Sequence, residues 1–453
     1  MVYRLRAWIL WAIARLVAFG LFGGLEVQGK VPRPNGPRLV VSNHFNGLVD
    51  VVLLIVALGH YPLFIAKSTL FEPIPTRLLL RAVGAIPVYR PIDSADVRKN
   101  TAAFDKVYEE WTRDRTVAIF PEGTVPEEER LQPLRTGAAR MALGAPDNGV
   151  DDLEILPIGI TYLDKSASRS RALVGIGETL RVEDLTRTPL QLEDSGSASD
   201  SAQAKTRLAA PLSVDRAAIR AATDVLTERL SSLPAAYGSL TRKARLLRIA
   251  DVVASADVEH PYDQPPLSAL VAVADQIAAL PEDVQTEVFD RMGHYHLDLA
   301  NLGVRDDHLV PAVRLRDLLR KLSLTAVTLL LVTPLAYVSF LTNIVPILLT
   351  ILVGTAVREP VSKGTARVLV ALVAFPAAWG FSLWTSQLVG WRVVAYGAVL
   401  AVGSILIVIG AQSALSAIDA GLGWWRSWSR AALVSNALQT RAEAVDYVRA
   451  QLS

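Results

Sequence analysis

Two residues six positions apart, His44 and Asp50 of SNHFNGLVDVVLL (42–54), stand where a polar cluster meets an apolar run. A neutral imidazole becomes a directed base when a carboxylate holds one ring nitrogen in a fixed tautomer, so the pair could take a proton from a substrate. The same pattern also fits a turn followed by a helix that Asp50 caps. In FPEGT (120–124) a Pro and a Gly flank Glu122, making a rigid turn whose free backbone N–H groups suit an anion or the placing of Glu122; an ordinary turn is the plainer reading. Lys67, Arg90 and Arg135 each follow or border short apolar runs. Together they could converge on a phosphate, which Arg binds bidentately, although each taken singly reads as a solvated surface charge. LPIGI (156–160), with Pro157 and Gly159, could line an acyl chain or simply be core.

These groups need elements to hold them. PRLVVSN, PLFIAK, GAIPVYR, RTVAIFPEG, EILPIGITYL and RALVGIG are short and rich in β-branched residues, and each is bounded by Pro, Gly or polar residues, as strands are. Between them DVVLLIVALG, TRLLLRAVG, DVRKNTAAFDKVYEEWTRD and GAARMALGA read as helices. The alternation predicts an α/β domain over 31–190 with a central, mostly parallel sheet flanked by helices. In such domains the loops after the strands carry function, and the clusters fall there. Residues 191–212 read as a flexible linker around EDSGSASDSAQAK, and 213–320 as a helical region. It opens on Ser213 as N-cap, with Ile219, Ala222, Leu226 and Leu230 at helical spacing.

Composition narrows the class. Hydrophobic residues make up 51% and charged residues 20% of 453, which suits a soluble domain joined to membrane spans. Residues 1–30 read as a membrane-interfacial helix, apolar but carrying Arg4, Arg6 and Arg15, with no small-residue cleavage site. Over 321–422 four apolar segments predict about four spans, the first two separated by little more than Thr342 and Asn343. Arg314, Arg316, Arg320 and Lys321 precede the first segment, Arg358, Lys363 and Arg367 follow the second, and Arg426 and Arg430 follow the fourth. The positive-inside rule then puts the α/β domain, both termini and the 423–453 tail in the cytoplasm, with the bacterial inner membrane as the expected site. There are no cysteines, which removes disulfides and thiolate nucleophiles. A net charge of +2 gives no reason to expect nucleic acid.

Taken in order, NHFNGLVD, GAIPVYR, FPEGT and LPIGI resemble the four motif blocks of the glycerolipid acyltransferase superfamily, over roughly residues 35–180. LQPLRTGAARMAL and the C-terminal apolar region are more similar to the branch that acylates glycerol 3-phosphate or dihydroxyacetone phosphate. The resemblance implies that His44 is the general base and Asp50 its orienting partner, and that Arg90, Glu122 and Gly123 bind the acceptor's phosphate. Lys67 and Arg135 join that set by position and charge. It further implies transfer of a fatty acyl group from acyl-CoA or acyl-ACP, as co-substrate and with no other cofactor, to a phosphorylated glycerol acceptor. Lysophosphatidate acylation is the nearest alternative. Two departures stand out: five residues separate His44 from Asp50, where the family motif usually has four, and FPEGTVPEEER lacks the Arg-Ser that often follows the family's Thr.

Other classes fit less well. His294 and His296 are two apart on a helical stretch and point to different sides, with no second His cluster to complete a metal site. A non-catalytic lipid-binding or transport protein would be favoured by ionisable residues inside the spans, and those interiors hold none. A serine hydrolase lacks its Gly-x-Ser-x-Gly elbow here.

Overall fold

The computed structural model describes residues 2–72, 74–89, 100–126, 131–165, 169–186, 216–231, 233, 240–258, 264–310, 314–357 and 360–453. The chain divides into two compact units. Met1–Ala18, Val27–Thr161 and Leu173–Ala236 form the first, and Phe19–Glu26, Tyr162–Ala172 and Tyr237–Ser453 the second.

The chain begins with α1 (Val2–Leu21) and β1 (Phe22–Gln28). Then come β2 (Arg38–Ser42), α2 (Leu48–Leu58), β3 (Leu63–Lys67), α3 (Ile74–Val83), β4 (Ile86–Val88), α4 (Asn100–Trp111), β5 (Thr116–Ile119) and α5 (Gly137–Leu143). The next elements are β6 (Glu154–Tyr162), β7 (Ser170–Ile176), β8 (Leu180–Arg181) and α6 (Arg216–Ser231). The sheet has the order β1-β7-β6-β2-β5-β3-β4, with β8 pairing β6 antiparallel. β2 runs parallel to both β5 and β6, and β3 parallel to β5 and β4. This is the mostly parallel sheet that the alternation predicted, each expected strand and helix of 37–180 falling on one element.

The pairing explains the sequence. β2 is buried along its whole length because parallel neighbours flank it and layers cover both faces, hence RLVVS rather than an alternating strand. The core includes Leu39, Val41, Val117, Ile119 and Ile155 from the sheet, with Val107 and Trp111 of α4 and Ala138, Ala139 and Ala142 of α5. Ala222, Leu226 and Leu230 of α6 belong to the same core. The first unit therefore runs on to Ala236, past the boundary expected at 190, because the apolar stripe of α6 completes the α/β core. Ser213 and the 191–212 linker lie outside the described residues. Residues 22–28, expected within an N-terminal helix segment, form edge strand β1 instead; FGGLEVQ pairs through Gly23 N–H to the Arg169 carbonyl at 3.2 Å.

At the end of the sheet where β2 and β6 begin, Arg38 and Glu154 stand in register and form a buried ion pair, Nη2 to Oε2 at 2.5 Å. The Trp111 indole N–H donates to the Arg38 carbonyl at 3.2 Å. α1 exposes Leu5, Trp8, Ile9, Ile13 and Leu16 at helical spacing, an apolar stripe of the kind that lies along a lipid interface.

The second unit contains α7 (Leu240–Ser255), α8 (Leu267–Ala279), α9 (Glu282–Leu302), α10 (Leu315–Ala356), α11 (Pro360–Ser386), α12 (Trp391–Ser429) and α13 (Ala431–Leu452). Among the described residues three stretches, Ser339–Ala356, Lys363–Ser386 and Trp391–Ser429, are long and apolar enough to cross a membrane. The four expected spans therefore correspond to three helices, because α10 continues through the break foreseen at Thr342 and Asn343. Those polar side chains find partners without a turn. Asn343 donates to Ser404 Oγ at 2.9 Å and accepts from the Trp379 indole at 2.8 Å, while Thr342 meets Ser382 at 3.4 Å. α10 and α12 pack antiparallel, Ser339 bonding the Val399 carbonyl while Leu329 and Val332 lie against Gly410.

α13 returns to α7 and α9. The Arg441 guanidinium reaches the Asp306 carboxylate at 2.7 Å, and Asp306 also accepts from Ser255 at 2.5 Å and from the Tyr295 hydroxyl. Arg430 bonds the Asn301 and Leu302 carbonyls and Arg426 that of Gly303, so two guanidinium groups satisfy the last carbonyls of α9.

Candidate active site

The carboxyl ends of β2 and β5 lie side by side at the middle of the sheet, where α/β folds gather their functional loops. His44 follows β2 by two residues, and Phe120–Thr124 follows β5. His44 Nδ1 lies 2.8 Å from Asp50 Oδ2. The Asp50 carboxylate is fully buried and the imidazole 17% exposed, so the pair has a dry orienting end and an open end. With Nδ1–H donating to Asp50, the lone pair of Nε2 points away from the carboxylate and is available to a proton. The ring stacks on Phe120 at a centroid distance of 4.0 Å and an interplanar angle of 12°, which removes its rotational freedom.

Asp50 is not the helix cap of the plainer reading, since the N-cap of α2 is Gly47 with no side-chain cap hydrogen bond. It lies in the first turn of α2, and its Oδ2 accepts the Asn46 backbone N–H at 2.7 Å. A carboxylate there complements the helix dipole and satisfies a loop donor while holding the imidazole. Within the five residues between His44 and Asp50, the backbone turns at Gly47, φ 55°, ψ −126°, immediately before α2. That left-handed φ costs a glycine nothing and would strain any other residue.

Glu122 does not face outward as a phosphate ligand. Its side chain points inward, Oε1 accepting the His44 backbone N–H at 2.7 Å and Oε2 the Gln132 N–H at 2.8 Å. Burial pushes its pKa up to about 7, the two N–H donors pull it down, and the nearby Asp50 charge adds to the rise. Glu122 thus fastens the His44 loop to the segment that leads into α5. Gly123 has φ +67°, and a Cβ there would meet the Arg135 side chain at 2.8 Å. Arg135 Nε lies 3.4 Å from the Glu122 carbonyl, and its backbone N–H donates to the Pro121 carbonyl at 2.8 Å. The exposed guanidinium is thereby held over the FPEGT turn, where it could meet an anion.

The structure thus brings His44, Asp50, Glu122, Gly123 and Arg135 together. Lys67 closes β3 opposite Val88 of β4, one strand beyond β5 and half-buried. Arg90 lies outside the described residues. Pro157 and Gly159 do not form an open acyl-chain wall. The whole of β6 is buried, Pro157 packing on Gly177 and Gly159 so close to Leu233 that a Cβ would come within 2.7 Å. Protein already fills both positions. Phe120, Gln132, Asn43 and Ile160 also contribute to the site; Asn43, Phe120 and Ile160 fall within the motif blocks NHFNGLVD, FPEGT and LPIGI, but no role is assigned to them there. Gln132 and Ile160 act through their backbone, which leaves no trace in side-chain type.

The family model described as Acyltransferase matches residues 24–161. Glycerol-3-phosphate O-acyltransferase 1 of Saccharomyces cerevisiae is 34% identical over 83 residues, which is 18% of this chain and 11% of that protein. Glycerol-3-phosphate O-acyltransferase 2 of the same yeast is 34% identical over 85 residues, again 18% and 11%. The chain thus spans about a tenth of the length of these relatives. A crystal structure of the 1-acyl-sn-glycerophosphate acyltransferase PlsC from Thermotoga maritima aligns with a TM-score of 0.32 and 18% identity, covering 50% of this chain and 82% of that one. The family match over 24–161 contains the whole His44–Asp50 site, and over that segment the chain is similar to the Acyltransferase family and to the yeast glycerol-3-phosphate O-acyltransferases.

Proposed function

We propose that this protein is a membrane-bound O-acyltransferase that moves a fatty acyl group from an acyl thioester, acyl-CoA or acyl-ACP, to the hydroxyl of glycerol 3-phosphate or a related phosphorylated acceptor. The observation that carries the reading is the 2.8 Å contact between the His44 imidazole and the fully buried Asp50 carboxylate at the carboxyl end of β2. The acceptor hydroxyl gives its proton to His44 Nε2 as its oxygen attacks the thioester carbonyl carbon. The tetrahedral adduct collapses, the C–S bond breaks, and the departing sulfur takes the proton back from the imidazolium. The products are an ester and a free thiol, with no covalent acyl-enzyme. Asp50 stabilises the imidazolium while it exists, and a positioned base is worth about 10²–10⁴-fold.

Arg135, held over the FPEGT turn, supports a phosphate-bearing acceptor, with Lys67 and Arg90 as further cations for the same group. The names of the two yeast relatives favour glycerol 3-phosphate. The three apolar helices and the stripe on α1 support membrane attachment. The excess of Arg and Lys around them supports a cytoplasmic catalytic domain and cytoplasmic termini, in a bacterial inner membrane.

The test is acyl transfer in membranes holding wild type or His44→Ala. Each receives a labelled acyl thioester with glycerol 3-phosphate, dihydroxyacetone phosphate or lysophosphatidate. Transfer that requires His44 is expected, and the preferred acceptor identifies the branch. No transfer to any acceptor by folded protein refutes the reading and promotes a non-catalytic lipid-binding role.

A further inference from the structure

Asn43 directly precedes His44 and is 1% exposed. Its side chain does what a strand residue's backbone does. The carboxamide Nδ2 donates to the Ile160 carbonyl at 2.9 Å, and Oδ1 accepts the Ile160 N–H at 2.7 Å. Strand pairing of β2 with β6 ends at Ser42 opposite Ile158. Beyond it the chain must leave the sheet to present His44, and the Ile160 peptide would lose its ladder partner. The amide pair replaces that partner and continues the connection for one more residue, inside a low-dielectric core where each such bond is directional and costly to break. On the next residue Glu122 Oε1 holds the His44 N–H. The backbone is therefore gripped from β6 at residue 43 and from the β5 loop at residue 44.

We propose that Asn43 is a positioning residue for acyl transfer, fixing the point at which His44 leaves the sheet so that the imidazole meets both Asp50 and the acceptor hydroxyl. It touches no substrate, and this role rests on the acyltransferase reading above. Aspartate has the same shape as asparagine but no N–H to give the Ile160 carbonyl. Asn43→Asp should therefore loosen the pair while filling the same space.

The full chain in membranes would be assayed as wild type, Asn43→Asp, His44→Ala and the double variant, with hydrogen exchange followed on the peptide containing Ile160. Where Asn43→Asp does not accumulate, Asn43→Ser takes its place. The expected result is a kcat lower by about 10- to 100-fold, the penalty of misplacing a catalytic group by about 1 Å. KM should stay within about twofold for both substrates, and the Ile160 amide should exchange faster. In the His44→Ala background the Asn43 change should cost nothing further, because groups that act as a unit are non-additive. An equal loss in both backgrounds, a rise in KM at constant kcat, or a variant as fast as wild type would each overturn the proposal. A wild type that transfers nothing would instead refute the acyltransferase reading, and this role with it.

Discussion

Asp50→Asn isolates what the buried carboxylate does for His44. The Asn46 N–H, at 2.7 Å, and His44 Nδ1, at 2.8 Å, both meet the same oxygen, Oδ2, so an asparagine oxygen in that place keeps both contacts and only the negative charge is lost. The base is then present and held in the same tautomer, but the imidazolium formed during transfer has no counter-charge. Up to its whole contribution of about 10²–10⁴-fold should disappear from kcat, at most about 3–5 kcal/mol of barrier at about 1.4 kcal/mol per tenfold. KM should hold within about twofold, since Asp50 is fully buried and meets neither substrate. Stability should fall by no more than about 1 kcal/mol, the ordinary worth of a charge in the first turn of a helix. Thiol release can be measured with a thiol-reactive chromophore, and a chain without cysteines contributes no background of its own. A loss below about tenfold, or one carried by KM, would refute the charge-stabilising role and leave Asp50 as a holder of the Asn46 N–H.

The same geometry sets three further outcomes. Burial holds the Glu122 pKa at about 7 against an ordinary 4.5, so the folded protein binds more protons than the unfolded chain between those values. This contribution makes stability decline as pH rises from about 4.5 to about 7. Glu122→Gln should abolish that slope in denaturant unfolding series, and an unchanged slope would refute the assignment. Arg38→Ala leaves the buried Glu154 carboxylate to the more distant Arg181 at 3.9 Å and should cost up to about 3–5 kcal/mol in unfolding midpoint experiments, whereas joint replacement by Arg38→Met and Glu154→Leu should recover most of it. Gly123→Ala places a methyl at φ +67° against Arg135, and should raise KM for the phosphorylated acceptor more than for the thioester in steady-state kinetics.

Much of the site is legible in the sequence because its proposed catalytic pair lies within one loop and one helical turn. His44 and Asp50 are local partners, and the strand and helix that flank them have distinct periodicities. The holding contacts are another matter. Asn43 reaches Ile160 across 117 positions and Glu122 reaches the His44 backbone across 78, and such pairings depend on strand order, which no local pattern encodes. The inward direction of the Glu122 side chain is hidden for the same reason: a Glu between Pro and Gly is equally apt to face a ligand or the interior. Pro157 and Gly159 resemble ligand-facing residues because small residues make room, and here the room is taken by Leu233 and Gly177. The polar Thr342 and Asn343 within an apolar run suggest a turn, whereas Ser404, Trp379 and Ser382 supply the partners that let the helix continue.

The return of α13 to α7 and α9 constrains the chain like a stitch. Arg441 on Asp306, and Arg426 and Arg430 on the end of α9, tie the last turn of α12 and the segment after it to the body that precedes α10. A thread whose two ends are knotted on one face of a cloth has passed through it an even number of times. Any passage between Leu315 and Ser429 therefore obeys that parity, and α10, α11 and α12 are not three complete crossings. At 42 residues α10 is about 63 Å long, twice the roughly 30 Å of a hydrocarbon core, so it has length to spare at one face or the other. Reporters fused to the first and last residues of this apolar section should answer from the same side.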